Sequence, residues 1–186
     1  DALKALDLES TVLELDIHKH RNNDCYSHIG FAYIVSAILN RKVTLPDTSF
    51  KEIDDSIDKH FSLEVATNKC SYYLARMVKD VNIKESPEFI KKRLVAAGMR
   101  PINNVVDISN YVMLEYGQPL HFFDYDKLGS KVLVRDAKDK EEITTLDNKE
   151  RILTSNDIVI TDTFNPVCIA GVMGGIDTEV TDNTKT

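Results

Sequence analysis

The chain predicts an α+β fold, a mixed-sheet domain with central helices preceded by a small strand–helix piece. Two observations carry this. Two capped helical periods sit in the middle of the chain, and short strand patterns lie before and after them. A third sets the division: residues 46–59 lose all periodicity and mix their charges, so they read as a linker. Residues 1–45 then form a separate small piece, and residues 60–186 form the main domain.

From Thr11 to Ile17 the chain alternates, with Leu13, Leu15 and Ile17 on one face and Glu14 and Asp16 on the other, which predicts a half-buried strand. Asp24 is a candidate cap for a helix with Phe31, Ile34, Val35 and Ile38 at helical spacing, and Asn40 is its stop. After the linker, Phe61, Leu63 and Val65 alternate with Ser62 and Glu64, and Cys70 to Val81 is a longer apolar-rich run. Both read as strands. Ser86 as cap, Pro87 at the first helical position and Gly98 at the end predict a helix with Ile90, Leu94 and Ala97 facing inward. Asn103 and Asn104 start a second helix, Gly117 ends it in the left-handed region, and Pro119 blocks continuation. Val105, Ile108 and Val112 mark its buried stripe, and Asp107 and Asn110 share another face. Beyond it come short strands at 131–135, 142–146, 151–153, 157–161 and 167–170, separated by turns such as Asp147-Asn148 and Asn165-Pro166.

With 186 residues, 42% of them hydrophobic, the chain can bury one good core or one core with a small appendage. No apolar run approaches the ~20 residues that cross a bilayer, and no signal peptide opens the sequence. It begins at Asp1 without Met and ends in Thr184-Lys185-Thr186, and both ends read as cuts through a longer protein. Cys25, Cys70 and Cys168 are odd in number and widely spaced, which argues for reduced thiols in a cytoplasmic protein and against a zinc site or disulfide framework. The net charge of −7 excludes an autonomous tight RNA binder, because phosphate neutralisation supplies most of such affinity. Weak, locally guided RNA contact remains compatible. Lys91 to Arg93 read as a solvated helix face, whereas Arg100, beside the polar stretch that follows, is the better candidate for an RNA contact.

Arg100 to Asp124 is the most informative stretch. Asp107, Ser109, Asn110, Gln118 and His121 gather within it, and two readings fit that composition, a capped helix with locally satisfied polar groups or a ligand site. His121 alone is either a hydrogen-bonded turn histidine or a functional one. Three of the seven glycines fall between Gly171 and Gly175, directly after a predicted strand. They suit a tight turn or bulge and equally a close backbone approach to a ligand. The spacing of a nucleotide-binding loop or a dinucleotide fingerprint is absent. Ser109 has no His and Asp at triad spacing, so an activated nucleophile is not indicated and water is the expected attacking group.

Three separated blocks carry a resemblance: Val105-Val106-Asp107-Ile108-Ser109-Asn110-Tyr111-Val112, Gly117-Gln118-Pro119-Leu120-His121-Phe122-Phe123-Asp124 and Gly171-Val172-Met173-Gly174-Gly175. In this order they resemble the B3/B4 editing region of the β subunit of bacterial phenylalanyl-tRNA synthetases, and the likeness extends from about Val12 to the last residue. It implies that residues 1–45 are the C-terminal half of a B1-like domain and that residues 60–186 are a B3/B4-like editing domain, truncated at its C-terminal end. The implied activity is hydrolysis of tyrosine mischarged onto the tRNA for phenylalanine, by a positioned water. His121, Asn110 and Gly174 are the implied catalytic residues. Arg100, Ser109, Gln118 and Gly175 are implied to bind substrate, and no metal is implied. ATP and magnesium belong elsewhere in the full enzyme, and the implied partners are tRNA and an α subunit in an α2β2 assembly. The family often has Thr at Ser109, and Thr-Pro-Asn-Arg where this chain has His18-Lys19-His20-Arg21. Its carboxylate that reads the tyrosyl hydroxyl is expected a few residues after Thr186, so the chain alone is expected to have little or no activity. The alternatives are a non-catalytic tRNA-positioning or subunit-assembly module, and a free-standing mischarged-tRNA deacylase.

Overall fold

The computed structural model describes residues 11–186. The expected strand over Thr11 to Ile17 is absent: these residues are irregular and mostly exposed. Alternation makes a strand only when a neighbour takes its backbone hydrogen bonds, and among the described residues none does.

The chain divides into two compact units that interleave along the sequence. One holds the described residues up to Phe50 together with Lys84–His121, and the other holds Lys51–Ile83 and Phe122–Thr186.

The first unit is helical. A short helix α1 (Asn22–Cys25) precedes α2 (His28–Leu39). The cap of α2 is Ser27, whose hydroxyl accepts the Gly30 N–H at 2.9 Å. Asp24, the expected cap, instead pairs with Arg21 three residues earlier. Asn40 ends α2 in the left-handed region, as its residue type predicts. Helix α3 (Glu88–Ala96) buries Ile90 and Leu94. Pro87 takes its N-cap position, because the Ser86 hydroxyl is engaged elsewhere: it donates to Asp107 at 2.5 Å. Helix α4 (Asn104–Tyr116) starts at Asn103, whose side chain accepts from the Val105 and Val106 amides, and stops at Gly117 with φ +76°. Its buried residue is Asp107, 1% exposed, whereas Ile108 of the expected apolar stripe is exposed. Asp107 receives Ser86 and the Ile102 N–H (2.8 Å), so its carboxyl ties the segment just before α3 and the end of the α3–α4 connection to α4. Helix α2 packs on α4, and His28 Nδ1–H donates to the Leu114 carbonyl at 2.8 Å.

The second unit is built on a five-stranded mixed sheet. Strand β1 (Ser62–Val65) runs parallel to β2 (Lys131–Asp136), and the order continues β5 (Ile158–Thr161), β6 (Pro166–Ile169), β7 (Met173–Gly174), all antiparallel. A separate hairpin pairs β3 (Glu142–Thr144) with β4 (Glu150–Ile152). Val132, Val134, Ile160 and Val167 pack with Leu128 of the short helix α5 (Tyr125–Leu128) on one side. Ala137, Ile143, Leu153, Val159 and Ile169 form a second cluster. Val134 and Val159 are fully buried, each worth ~1.5–3 kcal/mol relative to exposure. Cys70 to Val81, expected as a strand, forms no regular element and pairs in no ladder. Its alternation is real, with Tyr72, Leu74 and Val78 outward and Tyr73 packed on the core.

A second buried carboxyl closes this unit. Asp124 caps α5 through the Asp126 N–H and accepts the Thr184 hydroxyl at 2.5 Å. Beside it, the Val81 N–H donates to Lys185 and the Tyr125 N–H to Thr186. Arg135 and Glu141 form a bidentate pair, 14% and 11% exposed, and the guanidinium holds the Glu141 carboxyl below its ordinary range.

Candidate functional site

The candidate residues of the first unit arise from one local device. The Asn103 cap and the Gly117 stop set the length of α4, and Pro119 forces the chain to turn immediately afterwards. The turn is then fastened back to the helix: the Ser109 hydroxyl donates to the Leu120 carbonyl at 2.9 Å. Gln118 makes only a long contact to the Pro119 carbonyl, 3.4 Å. Ser109, Asn110, Gln118 and His121 therefore belong to one helix and the turn it presents. Gly117 cannot be exchanged freely, because its φ is positive and a Cβ there would lie 3.1 Å from the Tyr26 carbonyl.

His121 is exposed, yet partial desolvation of the ring lowers its pKa from the usual histidine value. The direction favours neutral imidazole, with one nitrogen donating and the other accepting. Asn110 is half-buried and Arg100 exposed.

Gly174 and Gly175 lie in the second unit and are both buried. The Gly174 carbonyl accepts from the Leu146 N–H at 3.0 Å, and the Gly175 N–H donates to the Val167 carbonyl at 2.7 Å. A Cβ on Gly175 would meet that same carbonyl oxygen at 2.8 Å, so the glycine is required by close packing of the backbone onto β6. Its amide is thereby taken and is not available as an oxyanion donor in this arrangement.

Arg100, Ser109, Asn110, Gln118 and His121 thus fall in one unit, and Gly174 and Gly175 in the other. Two open depressions beside α2, of about 440 and 400 Å³, are lined by none of these residues. Among the described residues no group of three or more His, Cys, Asp or Glu could hold a metal ion, and no helix is long and apolar enough to cross a membrane. Asp107, which composition alone places with the functional polar groups, is a buried structural acceptor.

A mixed-sheet unit together with a helical unit that carries Asn110 on α4 and His121 on the turn after it is the class of protein defined here. The chain belongs to the B3/4 domain family, which it matches over residues 69–186. Across its whole length it is 53% identical to the phenylalanine–tRNA ligase beta subunit of Staphylococcus saprophyticus and 52% identical to that of Geobacillus kaustophilus. It is 50% identical to the beta subunit of Bacillus cereus over 99% of the chain. Each match covers 23% of the relative, so the chain spans under a quarter of the curated relatives it matches.

Proposed function

We propose that this chain is the editing part of a phenylalanine–tRNA ligase β subunit and that it serves to hydrolyse tyrosine mischarged onto the tRNA for phenylalanine. The observation that carries the reading is the turn after α4, fastened to that helix by the Ser109 hydroxyl, so that Asn110 of the helix and His121 of the turn belong to one local element. A synthetic pocket for phenylalanine rejects an added hydroxyl imperfectly, and a second site must then test the product.

The chemistry assigned to this turn is attack by water. The Ser109 proton is held by the Leu120 carbonyl, not by a base, so its hydroxyl is not activated as a nucleophile. Neutral His121 orients a water and accepts its proton as the oxygen adds to the ester carbonyl. The Asn110 amide is the donor assigned to the developing oxyanion. The acyl C–O bond to the ribose then breaks, His121 returns its proton to the ribose oxygen, and the released tyrosine carboxyl gives up the second proton of the water to solvent. Arg100 contacts the RNA backbone. ATP and magnesium act at the synthetic site, and the α subunit is the assembly partner.

The test is deacylation of tyrosyl-tRNA by a full-length β subunit, assembled with its α subunit, carrying this segment. Asn110→Ala, His121→Ala and Gly174→Val are each expected to abolish hydrolysis while leaving phenylalanine activation intact, and the 186-residue chain alone is expected to hydrolyse little. Unchanged hydrolysis by His121→Ala would overturn the reading. RNA binding retained in every variant without any hydrolysis in the parent would favour a tRNA-positioning module.

A further inference from the structure

Helix α3 carries two faces. Ile90 and Leu94 are buried inward, while Phe89, Lys92, Arg93 and Ala96 fall on the opposite face at i, i+3, i+4 and i+7 spacing. A solvated face ordinarily carries short or flexible polar groups. This one presents Phe89, 56% exposed, and organises a cation against it. The Arg93 guanidinium carbon lies 5.9 Å from the Phe89 ring centre and 5.6 Å from that of Tyr111 on α4. The two rings meet edge to face at 6.3 Å, and an Arg93 N–H donates to the Tyr111 hydroxyl. Two rings and a planar cation are thus pre-assembled on the surface of one unit, at little further entropic cost to a ligand.

The charge of the surroundings selects the ligand. Residues 84–100 hold five cationic and two acidic side chains, net +3, in a chain of net −7. Both acids, Glu85 and Glu88, are paired to Lys91, and Lys84, Lys92, Arg93 and Arg100 are the other cationic groups of the segment. An aromatic surface with a stacked arginine, set in the basic segment of an acidic protein, matches unpaired RNA: bases stack on the rings and the cations track the phosphates. An acidic peptide would use the cations but leave the exposed ring without a partner.

We infer that Phe89, Arg93 and Tyr111 form a stacking platform for an unpaired nucleotide of RNA, separate from the turn that carries His121. The inference takes the tRNA substrate from the proposed function and adds a second point of contact for its single-stranded end.

Two measurements test it. In the first, a fluorescein-labelled 12-nucleotide single-stranded RNA is titrated with the 186-residue chain at low salt. Phe89→Leu, which keeps apolar bulk but removes the ring, is expected to weaken binding about tenfold, within the range of one lost stacking contact. Phe89→Trp is expected to bind at least as well as the parent. In the second, the full-length synthetase carrying Phe89→Leu is assayed on tyrosyl-tRNA, with a raised KM and an unchanged kcat expected. Binding that is insensitive to Phe89→Leu, equal binding of a duplex of the same length, or no binding of single strand at all overturns the platform. If His121→Ala abolishes deacylation while Phe89→Leu changes neither titration nor KM, the platform fails and the editing reading stands. If the titration responds to Phe89→Leu but no variant or parent deacylates, the platform stands and the editing reading fails.

Discussion

Replacing Asp107 by Ala should destabilise the helical unit more than any exposed substitution. The carboxyl is 1% exposed, and it accepts from the Ser86 hydroxyl at 2.5 Å and the Ile102 N–H at 2.8 Å. Hydrogen bonds to charged groups contribute ~1.5–3 kcal/mol each. Ser86 is itself buried at 4% and would stay unsatisfied, whereas Ile102 is exposed and its amide can turn to water. Counting the first bond in full and the second in part places the loss at roughly 3–4 kcal/mol. With a urea slope of about 2 kcal/mol per molar, the midpoint should fall by roughly 1.5–2 M. Far-ultraviolet circular dichroism is the suitable probe, since the chain has no Trp and α1 to α4 all belong to this unit. Asp107→Asn, which keeps one acceptor oxygen, should lose about half as much. Adding Ser86→Ala to Asp107→Ala should cost little more than Asp107→Ala alone, because it removes the orphaned hydroxyl. A loss below about 0.5 kcal/mol, or full additivity of the two substitutions, would show that the carboxyl does not hold the start of α3 and the loop before α4 in place.

Gly175→Ala should destabilise the sheet unit by ~1–3 kcal/mol, because the new Cβ meets the Val167 carbonyl oxygen at 2.8 Å; thermal melting reads it. His121 should titrate below the usual 6.5 in a proton NMR series, since ring desolvation lowers its pKa. The unfolded chain then binds the extra proton first, so stability rises with pH up to about 6.5 and falls as pH drops through the folded value. His121→Gln should flatten that slope. Asp55, hydrogen-bonded by Lys79 at 2.6 Å and His60 at 2.8 Å, is held at about 2. Its contribution is present above the unfolded value near 4 and lost as pH falls toward 2, and Asp55→Asn should remove that part of the acid transition. Burial pushes the Cys168 thiol up to about 11, so iodoacetamide at pH 8 should leave Cys168 unmodified in the native state and label it only on unfolding.

The parts of the fold legible in the sequence are those set by local chemistry. Asn103 and Gly117 bound α4 because a cap side chain and a left-handed glycine act within one helical turn. The mixed sheet was legible from short alternating runs between turn residues, and β2 to β6 fall where those runs lie. Long-range facts were not legible. Thr11 to Ile17 and Cys70 to Val81 alternate like strands, but pairing depends on a neighbour that periodicity does not report. Ser86 looks like a helix cap beside Pro87, yet its hydroxyl serves Asp107, twenty-one residues on. In the candidate site, the turn carrying Gln118 and His121 was legible from Gly117 and Pro119. The tie from Ser109 to Leu120 and the occupied Gly175 amide required coordinates. Lys91 to Arg93 read as a solvated helix face from charge alone, although Phe89, four residues before Arg93 on one helix, was the available signal.

The parallel pairing of β1 with β2 imposes an order of assembly on the nascent chain. Ser62 pairs with Lys131 and Val65 with Val134, so the whole stretch Lys84–His121 of the helical unit is synthesised between the two strands. The helices can close on α2 as soon as Tyr116 has left the ribosome, through contacts such as His28 to Leu114. β1 must wait for β2, and Asp124 must wait for Thr184. Closing loops of that length slows folding, and until they close, β1 and the outward apolar row of Tyr72, Leu74 and Val78 stand exposed to chaperones and to other nascent chains.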